Sequence, residues 1–272
     1  MLGWNRGAMP KSACSVSFII PALNEERVVE NVVREVWAVV DASIDNYEVI
    51  LIDDGSSDRT GKIMDQLALA LPRVRVIHHE KNRGLGASYQ RGVAAAQLDY
   101  VMMLCGDGGL PASSLPPIIA KIGTADIVVP YMTNLRKIKS PSRYLVSRTY
   151  TTLLNLLSGY RLKYYNGLPV HRRKLLNDIE ITSTGFGFQG EIIIKLLKSG
   201  CSYVQVGVPG AEMTRNSSAF RFKNVINVGA TLVKLIRELR RFPRTRSRGV
   251  ESSEPESKLA MSQASKAADN FR

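Results

Sequence analysis

The sequence predicts an α/β fold with a mostly parallel, doubly wound sheet. In the first 130 residues, short apolar segments alternate with longer segments of helical period, and brief polar links join them. This alternation is typical of parallel strands in one sheet, with right-handed crossovers that place helices on both faces. Several strands also run directly into clusters of Asp, Asn and Gly. Ligands of such sheets bind at strand ends, so these clusters are the first candidates for a site.

The strands of the first half are predicted from short apolar segments that end in turn-forming residues. The segment from Val49 to Ile52 is the clearest, because four apolar residues in succession are followed by Asp-Asp-Gly-Ser. An unbroken apolar run is typical of a strand covered on both faces. The predicted strands are Val16–Ile20, Glu48–Ile52, Arg73–His78, Tyr100–Leu104 and Asp126–Val129.

The helices between these strands are predicted from apolar residues at helical spacing. In the segment Arg27–Ser43, valines recur three and four residues apart and cover one face, which we expect to pack on the sheet. The other predicted helices of the first half are Asp58–Leu71, Gly84–Gln97 and Ser113–Ile122.

After about residue 130 the alternation stops, and the pattern predicts C-terminal amphipathic helices. The predicted elements are the helices Arg143–Ser158, Gln189–Lys198 and Lys223–Arg241 and the strand Tyr203–Val208. The chain thus divides into a flexible N-terminus (1–14), one domain (15–242) with halves at 15–130 and 131–242, and a tail (243–272). The tail lacks periodicity and is predicted to be disordered.

Composition excludes several classes of protein. The chain has 272 residues, 44% hydrophobic and 22% charged, which suits one large globular domain with appendages. The three cysteines, Cys14, Cys105 and Cys201, are far apart and odd in number, so we expect neither a disulfide framework nor a zinc site. This use of cysteine fits a protein of the reducing cytosol. No apolar run reaches the roughly 18 residues of a membrane-spanning helix. Residues 1–15 lack the apolar core of a secretory signal.

The formal net charge of +13 is concentrated in two segments. Residues 131–175 contain ten basic residues and no acidic one, and residues 215–248 contain ten basic residues and one acid, Glu238. Such a field attracts polyanions, namely phosphates, nucleic acid or anionic lipid headgroups. For any single lysine, an ordinary solvated position is the better interpretation.

Polar clusters follow each of the first four predicted strands. Asp53 and Asp54 come directly after the second strand, and two adjacent carboxylates need water, a polar ligand or a metal to compensate their repulsion. The alternative is that this segment only caps the next helix through Ser57 or Asp58. The other clusters are Pro21–Glu26, Asn82–Gly86 and Cys105–Gly109.

We expect these clusters to surround one cleft, because the carboxyl ends of parallel strands share one edge of a sheet. Asn24 is predicted to cap the next helix while Glu25 points into the cleft. Gly84 and a second glycine two residues later allow close backbone approach at a helix start. Arg215 and Arg221 follow the last strand. Carboxylates and arginines around one cleft suit a diphosphate bound with a hard divalent cation.

The segments PALNEE, DDGSSDRT and NRGLGAS and the turn centred on Asp107 resemble, in order and spacing, family 2 of the nucleotide-sugar glycosyltransferases, which have the GT-A fold. The chain looks most similar to dolichol-phosphate mannose synthases and related polyprenyl-phosphate glycosyltransferases. The resemblance covers roughly residues 15–241 and implies a nucleotide-binding half (15–130) and an acceptor half (131–242). It implies transfer of a sugar from a nucleotide diphosphate sugar, with Mg²⁺ or Mn²⁺ and inversion, most closely to a dolichyl or undecaprenyl phosphate.

The resemblance also implies roles for individual residues. Asp107 is the implied metal ligand, and Arg215 and Arg221 are implied to grip phosphate and stabilise the leaving group. Glu191 is the candidate general base, with an acid favoured by the helix dipole in a first turn as the alternative. The residues implied to contact or border the nucleotide are Pro21, Leu23, Glu25, Leu51, Asp53, Asp54, Gly84 and Gly106.

Several positions depart from the family pattern. They affect the metal turn, the phosphate loop and the sugar side, so they leave the metal affinity and the identity of the sugar open. The departures are Cys105 in place of an acid, Gly109 in place of Gln, Ser218 in place of Gly, Phe220 in place of Ser, Arg221 in place of Lys, and Met132, with Arg136 nearby, in place of an Arg.

Charge and amphipathicity predict the acceptor side. The helix Arg143–Ser158 carries basic residues and a Tyr- and Leu-rich face, so we expect it to lie on an anionic membrane surface, with the aromatic turn 164–167 receiving a prenyl chain. The alternative is that this helix simply packs on the sheet. Together with Lys223–Arg241, it predicts a cytoplasmic protein held peripherally at the inner face of the membrane. A membrane-protein partner is compatible with this expectation.

Three other functions are weighed against this one. A glycosyltransferase with a soluble glycan or protein acceptor would need a general base for the acceptor hydroxyl. A non-catalytic nucleotide-sugar binder is suggested by Cys105 and Gly109 in the metal turn. A nucleic-acid binder is suggested by charge alone, and we expect no nucleic-acid partner because interleaved aromatics and a recognised motif are missing.

Overall fold

One mixed sheet organises the chain in the computed structural model, which describes residues 12–183, 187–211 and 249–250. The predicted α/β class is confirmed. The strands of the sheet are β1 (Ser12–Ala22), β2 (Ile44–Asp53), β3 (Val74–His78), β4 (Tyr100–Met103), β5 (Ile127–Met132), β6 (Val170–Arg172), β7 (Tyr203–Val208) and β8 (Gly249–Val250).

The helices cover the sheet and connect its strands. No helix among the described residues combines the length and the apolar composition that crossing a bilayer requires. The helices are α1 (Val29–Ser43), α2 (Thr60–Ala70), α3 (Leu85–Ala95), α4 (Leu115–Ile119), α5 (Leu135–Ile138), α6 (Pro141–Ser158), α7 (Arg173–Leu176) and α8 (Phe188–Lys198), and a 3₁₀ turn (Ala112–Ser114) precedes α4.

The strand order places β1 in the middle of the nucleotide-binding half. Across the sheet the order is β3-β2-β1-β4-β6-β5-β7-β8. β1 pairs in parallel with β2 on one side and with β4 on the other, and only β6 runs antiparallel, between β4 and β5. The carboxyl ends of β1, β2, β3, β4, β5 and β7 therefore lie at one edge of the sheet, which we call the carboxyl edge.

The core is built on β1 and β2. Phe18, Ile19 and Ile20 on β1 are fully buried, as are the apolar residues from Val49 to Ile52 on β2. This agrees with the unbroken apolar runs of the sequence. The valines that α1 repeats at helical spacing are also buried, as predicted; they are Val29, Val33, Val36 and Val40.

The structure differs from the sequence prediction in three respects. β1 begins at Ser12, so the end of the predicted flexible N-terminus (1–14) belongs to the central strand. β6, α5 and α7 were not predicted, because each is only three or four residues long and sits in the basic segment without visible periodicity. Gly249–Val250 pairs with β7, within the predicted disordered tail. The predicted helix Lys223–Arg241 lies outside the described residues.

Gly92 tests how tightly α3 packs on β1. A Cβ at this position would overlap the side chain of Ile19, which is fully buried. Helix propensity alone makes Gly92→Ala stabilising by about 1 kcal/mol. Overpacking of a core costs about 1–3 kcal/mol. We expect overpacking to dominate, so that the variant unfolds at a lower urea concentration than the wild type.

The matched control is Ala94→Gly, on the exposed side of the same helix. It changes helix propensity without touching the core, so we expect a loss of about 1 kcal/mol. A Gly92→Ala chain as stable as the wild type would contradict the packing of α3 on β1.

Candidate active site

The end of β1 is held between the turns that follow β2 and β4. The backbone N–H of Asp54 donates to the carbonyl of Ala22 (3.0 Å), and the N–H of Gly106 donates to the carbonyl of Pro21 (3.0 Å). Neighbouring strands lie about 4.8 Å apart, so the ends of β2 and β4 are about 10 Å apart across β1. The two acidic turns therefore share the carboxyl edge, one on each side of β1.

The turn after β1 is bonded to the turn after β2. Asn24 adopts a left-handed conformation (φ 55°), and its Oδ1 accepts a hydrogen bond from the N–H of Ser57 (2.8 Å). The N–H of Glu25 donates to Oγ1 of Thr60 (2.8 Å). Asn24 was predicted to cap the next helix, but α1 begins at Val29 and has no side-chain cap. Asn24 instead joins the two turns.

Cys105 and Asp107 follow β4 at the carboxyl edge, and Glu25 follows β1, the strand that pairs in parallel with β4. Burial raises the pKa of the Cys105 thiol well above its ordinary value, and the carboxylates of Asp107 and Glu25 raise this pKa further. Asp107 is exposed, and its Oδ1 accepts a hydrogen bond from the N–H of Gly109 (3.0 Å). Cys105 therefore stays a neutral thiol beside two carboxylates.

The carboxylate of Asp107 beside a neutral Cys105 thiol fits a hard divalent cation better than a soft one. Mg²⁺ and similar ions take carboxylate, phosphate and water oxygens, whereas a protonated thiol is a poor ligand. The described residues contain no group of three or more His, Cys, Asp and Glu side chains that would hold a metal alone. A cation at Asp107 would need oxygen ligands from a phosphorylated substrate, as Mg²⁺ sites commonly have.

Asp53 is engaged with His78 rather than exposed to the cleft. Its Oδ1 accepts from the N–H of Ser56 (3.0 Å), and its Oδ2 lies 3.0 Å from Nδ1 of His78, whose Nε2 lies 3.0 Å from Oδ1 of Asp65. The absence of a side chain at Gly61 leaves space for the Asp53 carboxylate, because a Cβ there would lie 2.6 Å from Oδ2 of Asp53. Only 9% of the Asp53 side chain is exposed, so a contact with base or ribose stays a prediction.

Asp54 has a structural role, which differs from the predicted nucleotide contact. Its side chain is buried. Oδ1 accepts a hydrogen bond from the N–H of Arg83 (2.9 Å) and lies 2.8 Å from Nδ1 of His79. Oδ2 accepts a hydrogen bond from the N–H of Gly84 (2.9 Å). Asp54 thus compensates the amino end of α3. Gly84 adopts φ 91°, and its N–H is occupied by Asp54, so this N–H does not face a nucleotide.

The aspartate pair is therefore compensated within the protein. The expected repulsion between adjacent carboxylates is relieved by backbone N–H groups and by His78 and His79, one for each acid. The alternative, that this segment caps the next helix through Ser57 or Asp58, is correct for Asp58, whose Oδ1 accepts from the N–H of Thr60 (2.9 Å) at the start of α2. Asp54 has a different partner. The helix that Asp54 caps is α3, which follows β3, and not the helix that follows Asp54 in the chain.

The remaining predicted nucleotide residues fall into two groups. Leu51 is fully buried in the core, where it cannot contact base or ribose, so this prediction is wrong. Pro21 and Gly106 are buried at the floor of the edge, and a Cβ on Gly106 would lie 2.7 Å from that of Ala22. Leu23 is half-buried at the end of β1, and its contact with a nucleotide stays a prediction.

Glu191 does not have the environment of a general base. It is buried in the first turn of α8; its Oε1 accepts from Nζ of Lys195 (2.7 Å) and from Oγ1 of Thr182 (2.8 Å), and its Oε2 accepts from the N–H of Ser183 (2.9 Å). Burial alone would raise the pKa of Glu191, but these hydrogen bonds outweigh it and lower that pKa. The structure favours the alternative, a first-turn acid, which here anchors the segment before α8.

Arg215 and Arg221 lie outside the described residues. β7 ends at Val208, and the structure describes the chain only to residue 211 beyond it. The phosphate contacts of these arginines therefore stay predictions.

A protein-family model described as "Glycosyl transferase family 2" matches residues 17–188, which include every described turn of the carboxyl edge up to α8. The chain belongs to this family.

Curated relatives and solved structures agree with the family. A polyprenol monophosphomannose synthase of Mycolicibacterium smegmatis is 28% identical over 219 residues, 76% of this chain and 81% of the relative. An undecaprenyl-phosphate mannosyltransferase of Micrococcus luteus is 27% identical over 204 residues, 71% and 82% of the two chains. Glucosyl-3-phosphoglycerate synthase of Mycobacterium tuberculosis, solved with Mn²⁺, UDP-glucose and phosphoglyceric acid, matches with a TM-score of 0.62 and 22% identity over 82% and 80% of the chains. The last likeness shows the GT-A fold.

Sequence reasoning missed the histidine partners of this family 2 site. The sequence analysis names no partner for Asp53 or Asp54, and in the structure His78 and His79 are each the partner of one member of the aspartate pair. The residues of each pair are 25 positions apart. The signal was available, because parallel pairing of β2 with β3 places the residue after one strand beside the residue after the other.

Replacing Asp54 should show its structural role. In Asp54→Asn, one carboxylate oxygen becomes an amide donor, so either the N–H of Gly84 loses its acceptor or the N–H of Arg83 and His79 lose theirs. Removing one partner of such a buried group costs about 2–4 kcal/mol. We expect this loss in the free energy of unfolding by urea. The control Asp178→Asn changes an exposed acid that follows α7, and should change stability by less than about 0.5 kcal/mol.

His78 should make stability depend on pH. The hydrogen bond to Asp53, with a contribution from Asp65, raises the pKa of His78 above its ordinary value, although burial opposes this shift. The stabilisation is complete below the unfolded pKa of about 6.5 and is lost as pH rises through the higher folded pKa. We expect the stability difference between wild type and His78→Gln to shrink as pH rises. An unchanged difference between about pH 6 and pH 8 would contradict the charged pair.

Proposed function

We propose that this chain transfers a sugar from a nucleotide diphosphate sugar to a polyprenyl (dolichyl or undecaprenyl) phosphate, with inversion at the anomeric carbon. The observation that carries the proposal is the hydrogen bonding of the turns after β2 and β4 to the end of β1, which brings the segments that contain Glu25 and Asp107 to one edge. Membership of family 2 supports the donor class. The finer proposal, the lipid phosphate acceptor, is supported by the activities for which two relatives are named and by the state of Glu191.

The accessible acids of the carboxyl edge suit the diphosphate. Asp107 is exposed and Glu25 is half-buried, whereas Asp53 and Asp54 are buried and engaged within the protein. We assign Asp107 to the metal-bound diphosphate and Glu25 to the border of the nucleotide. When bound there, Mg²⁺ or Mn²⁺ would neutralise charge on the leaving diphosphate. The relative of known structure binds Mn²⁺ or Mg²⁺ together with UDP.

The state of Glu191 favours an acceptor that needs no base. A sugar or protein hydroxyl must lose a proton to attack the anomeric carbon, so it requires a general base. A phosphate monoester has a second pKa of about 6 and already carries a nucleophilic oxygen at neutral pH. Because Glu191 is buried and occupied by Lys195, Thr182 and Ser183, it is poorly suited to activate a hydroxyl. A lipid phosphate avoids this requirement.

The residues of the chain would act by binding and orientation. Asp54 and His79 fix the start of α3, and the bonds between Asn24 and Ser57 fix the turn that carries Glu25. Fixed carboxylates at the edge stabilise charge as it develops on the leaving group without reorganising, which is a large catalytic contribution in many enzymes. Arg215 and Arg221, in the same proposal, bind the remaining phosphate charge.

The first test is metal-dependent binding and transfer. We expect UDP or GDP to raise the melting temperature of the wild-type chain more with Mn²⁺ or Mg²⁺ than without. We also expect transfer from a UDP- or GDP-sugar to a short-chain polyprenyl phosphate. Asp107→Asn should remove the metal-dependent part of the thermal shift and reduce transfer at least about 100-fold.

The matched control is Asp178→Asn. Asp178 is exposed and follows β6 and α7 at the opposite edge of the sheet, so both readouts should stay as in the wild type. Full transfer by Asp107→Asn would contradict the metal assignment. Transfer only to a soluble sugar or to phosphoglyceric acid would contradict the lipid acceptor. Nucleotide binding without transfer to any acceptor would indicate a non-catalytic binder.

A further inference from the structure

Helix α6 exposes apolar side chains on the side that faces away from the protein. Its inward side packs through Thr151, Leu154 and Ser158, which are buried. On the opposite side, the side chains are open to solvent, with fractional exposures of 66% for Leu145, 49% for Val146, 37% for Leu153 and 77% for Leu156. We call this surface the outer face of α6; it consists of Leu145, Val146, Thr149, Thr152, Leu153 and Leu156.

The outer face differs from an ordinary solvated helix surface. A surface helix normally turns charged or polar residues to water and apolar residues to the core. Here the solvent side carries four large aliphatic residues and two threonines. Scattered exposed leucines are common, but a contiguous apolar stripe on one helix usually marks a contact surface. The prediction that this helix has a basic side and an apolar side is therefore refined, because much of the apolar side faces outward.

Cations border the outer face, and carboxylates are missing around it in sequence. Arg148 is exposed beside the apolar stripe, and α5 brings Arg136 and Lys137 just before α6. Residues 131–175 contain no acid. An exposed apolar stripe with a cationic border is the pattern of a helix that lies in the interface of an anionic bilayer.

The position of α6 places this face near the candidate active site. β5 is parallel to β7 and ends at Met132 on the carboxyl edge, where the N–H of Thr133 donates to the carbonyl of Val208 (2.9 Å). α6 begins at Pro141, a few residues after the end of β5, so its amino end lies toward the carboxyl edge, where Asp107 also lies. A surface that contacted the outer face would therefore be close to the edge where the sugar is transferred.

We propose that the outer face of α6 docks on an anionic membrane surface and so holds the chain at the source of its acceptor. The purpose of this contact rests on the proposed lipid phosphate acceptor, but the contact itself can be measured independently. The four aliphatic side chains enter the headgroup region, and Arg148 and the neighbouring cations contact anionic headgroups. A purely electrostatic contact would not require the leucines.

The test is co-sedimentation of the full chain with protein-free vesicles. We use phosphatidylglycerol mixed with phosphatidylcholine, and phosphatidylcholine alone, at low and high salt. The variant Leu145→Gln/Leu156→Gln replaces the two most exposed aliphatic residues of the outer face. We expect it to partition into anionic vesicles at least about tenfold more weakly than the wild type. Arg148→Gln should weaken binding by about fivefold at low salt and much less at high salt.

The matched control is Leu69→Gln on α2. Leu69 is 90% exposed, more than any aliphatic residue of the outer face, but it lies on a different helix beside acidic Asp65. It should leave vesicle binding unchanged. Thermal melting of each variant checks that the fold is intact, and transfer to a short-chain, water-soluble prenyl phosphate without vesicles should equal that of the wild type.

The outcomes separate this proposal from the proposed function. The docking proposal is overturned if the wild type does not bind anionic vesicles, or if the double leucine variant binds them as well as the wild type does. This holds whether or not sugar is transferred. If the wild type binds vesicles through the outer face but transfers no sugar to any prenyl phosphate, the proposed acceptor fails and the docking surface stands. Loss of binding in Leu69→Gln as well would show non-specific adhesion and overturn the proposal.

Discussion

The site depends on the position of β1 between two parallel neighbours. Because β2 and β4 pair with opposite sides of β1, the turns that follow them must lie on both sides of its end. The carbonyls of Pro21 and Ala22 then accept one hydrogen bond from each turn. Two sequence-distant acidic segments are thereby held about 10 Å apart. The proposed contacts with nucleotide, metal and phosphate all depend on this arrangement of the backbone.

Four of the acids at this edge divide into a structural pair and an accessible pair. Asp53 and Asp54, the most conspicuous residues of the sequence, are buried and hold Ser56, the start of α3 and two histidines. Glu25 and Asp107 are less conspicuous but more accessible. A strand that enters a turn presents successive side chains to opposite sides, so neighbours in sequence meet different partners. The buried pair holds the turns of the carboxyl edge in place, and a binding site whose charged groups must stay fixed needs such support.

The sequence predicts the fold well where a pattern is long and local. The valines of α1 and the apolar run of β2 indicate elements that the structure contains, and the turn motifs locate the edge. Short elements such as β6 were missed, because three residues carry no period. Side-chain pairs were missed or misassigned, because the partner of Asp54 or Glu191 depends on packing. Spacing shows that Asp54 follows a strand, but not that its oxygens face α3.

The central claim is that Asp107, at the end of β4, holds a metal-bound diphosphate while the buried aspartates only support it. A crystal structure of the chain with UDP or GDP and Mn²⁺, with the metal located by anomalous scattering, tests this claim most directly. The account predicts Mn²⁺ bonded to a carboxylate oxygen of Asp107 and to diphosphate oxygens, with Asp54 still bonded to Arg83 and Gly84. Mn²⁺ bonded to Asp54, or a diphosphate away from the end of β1, would contradict it.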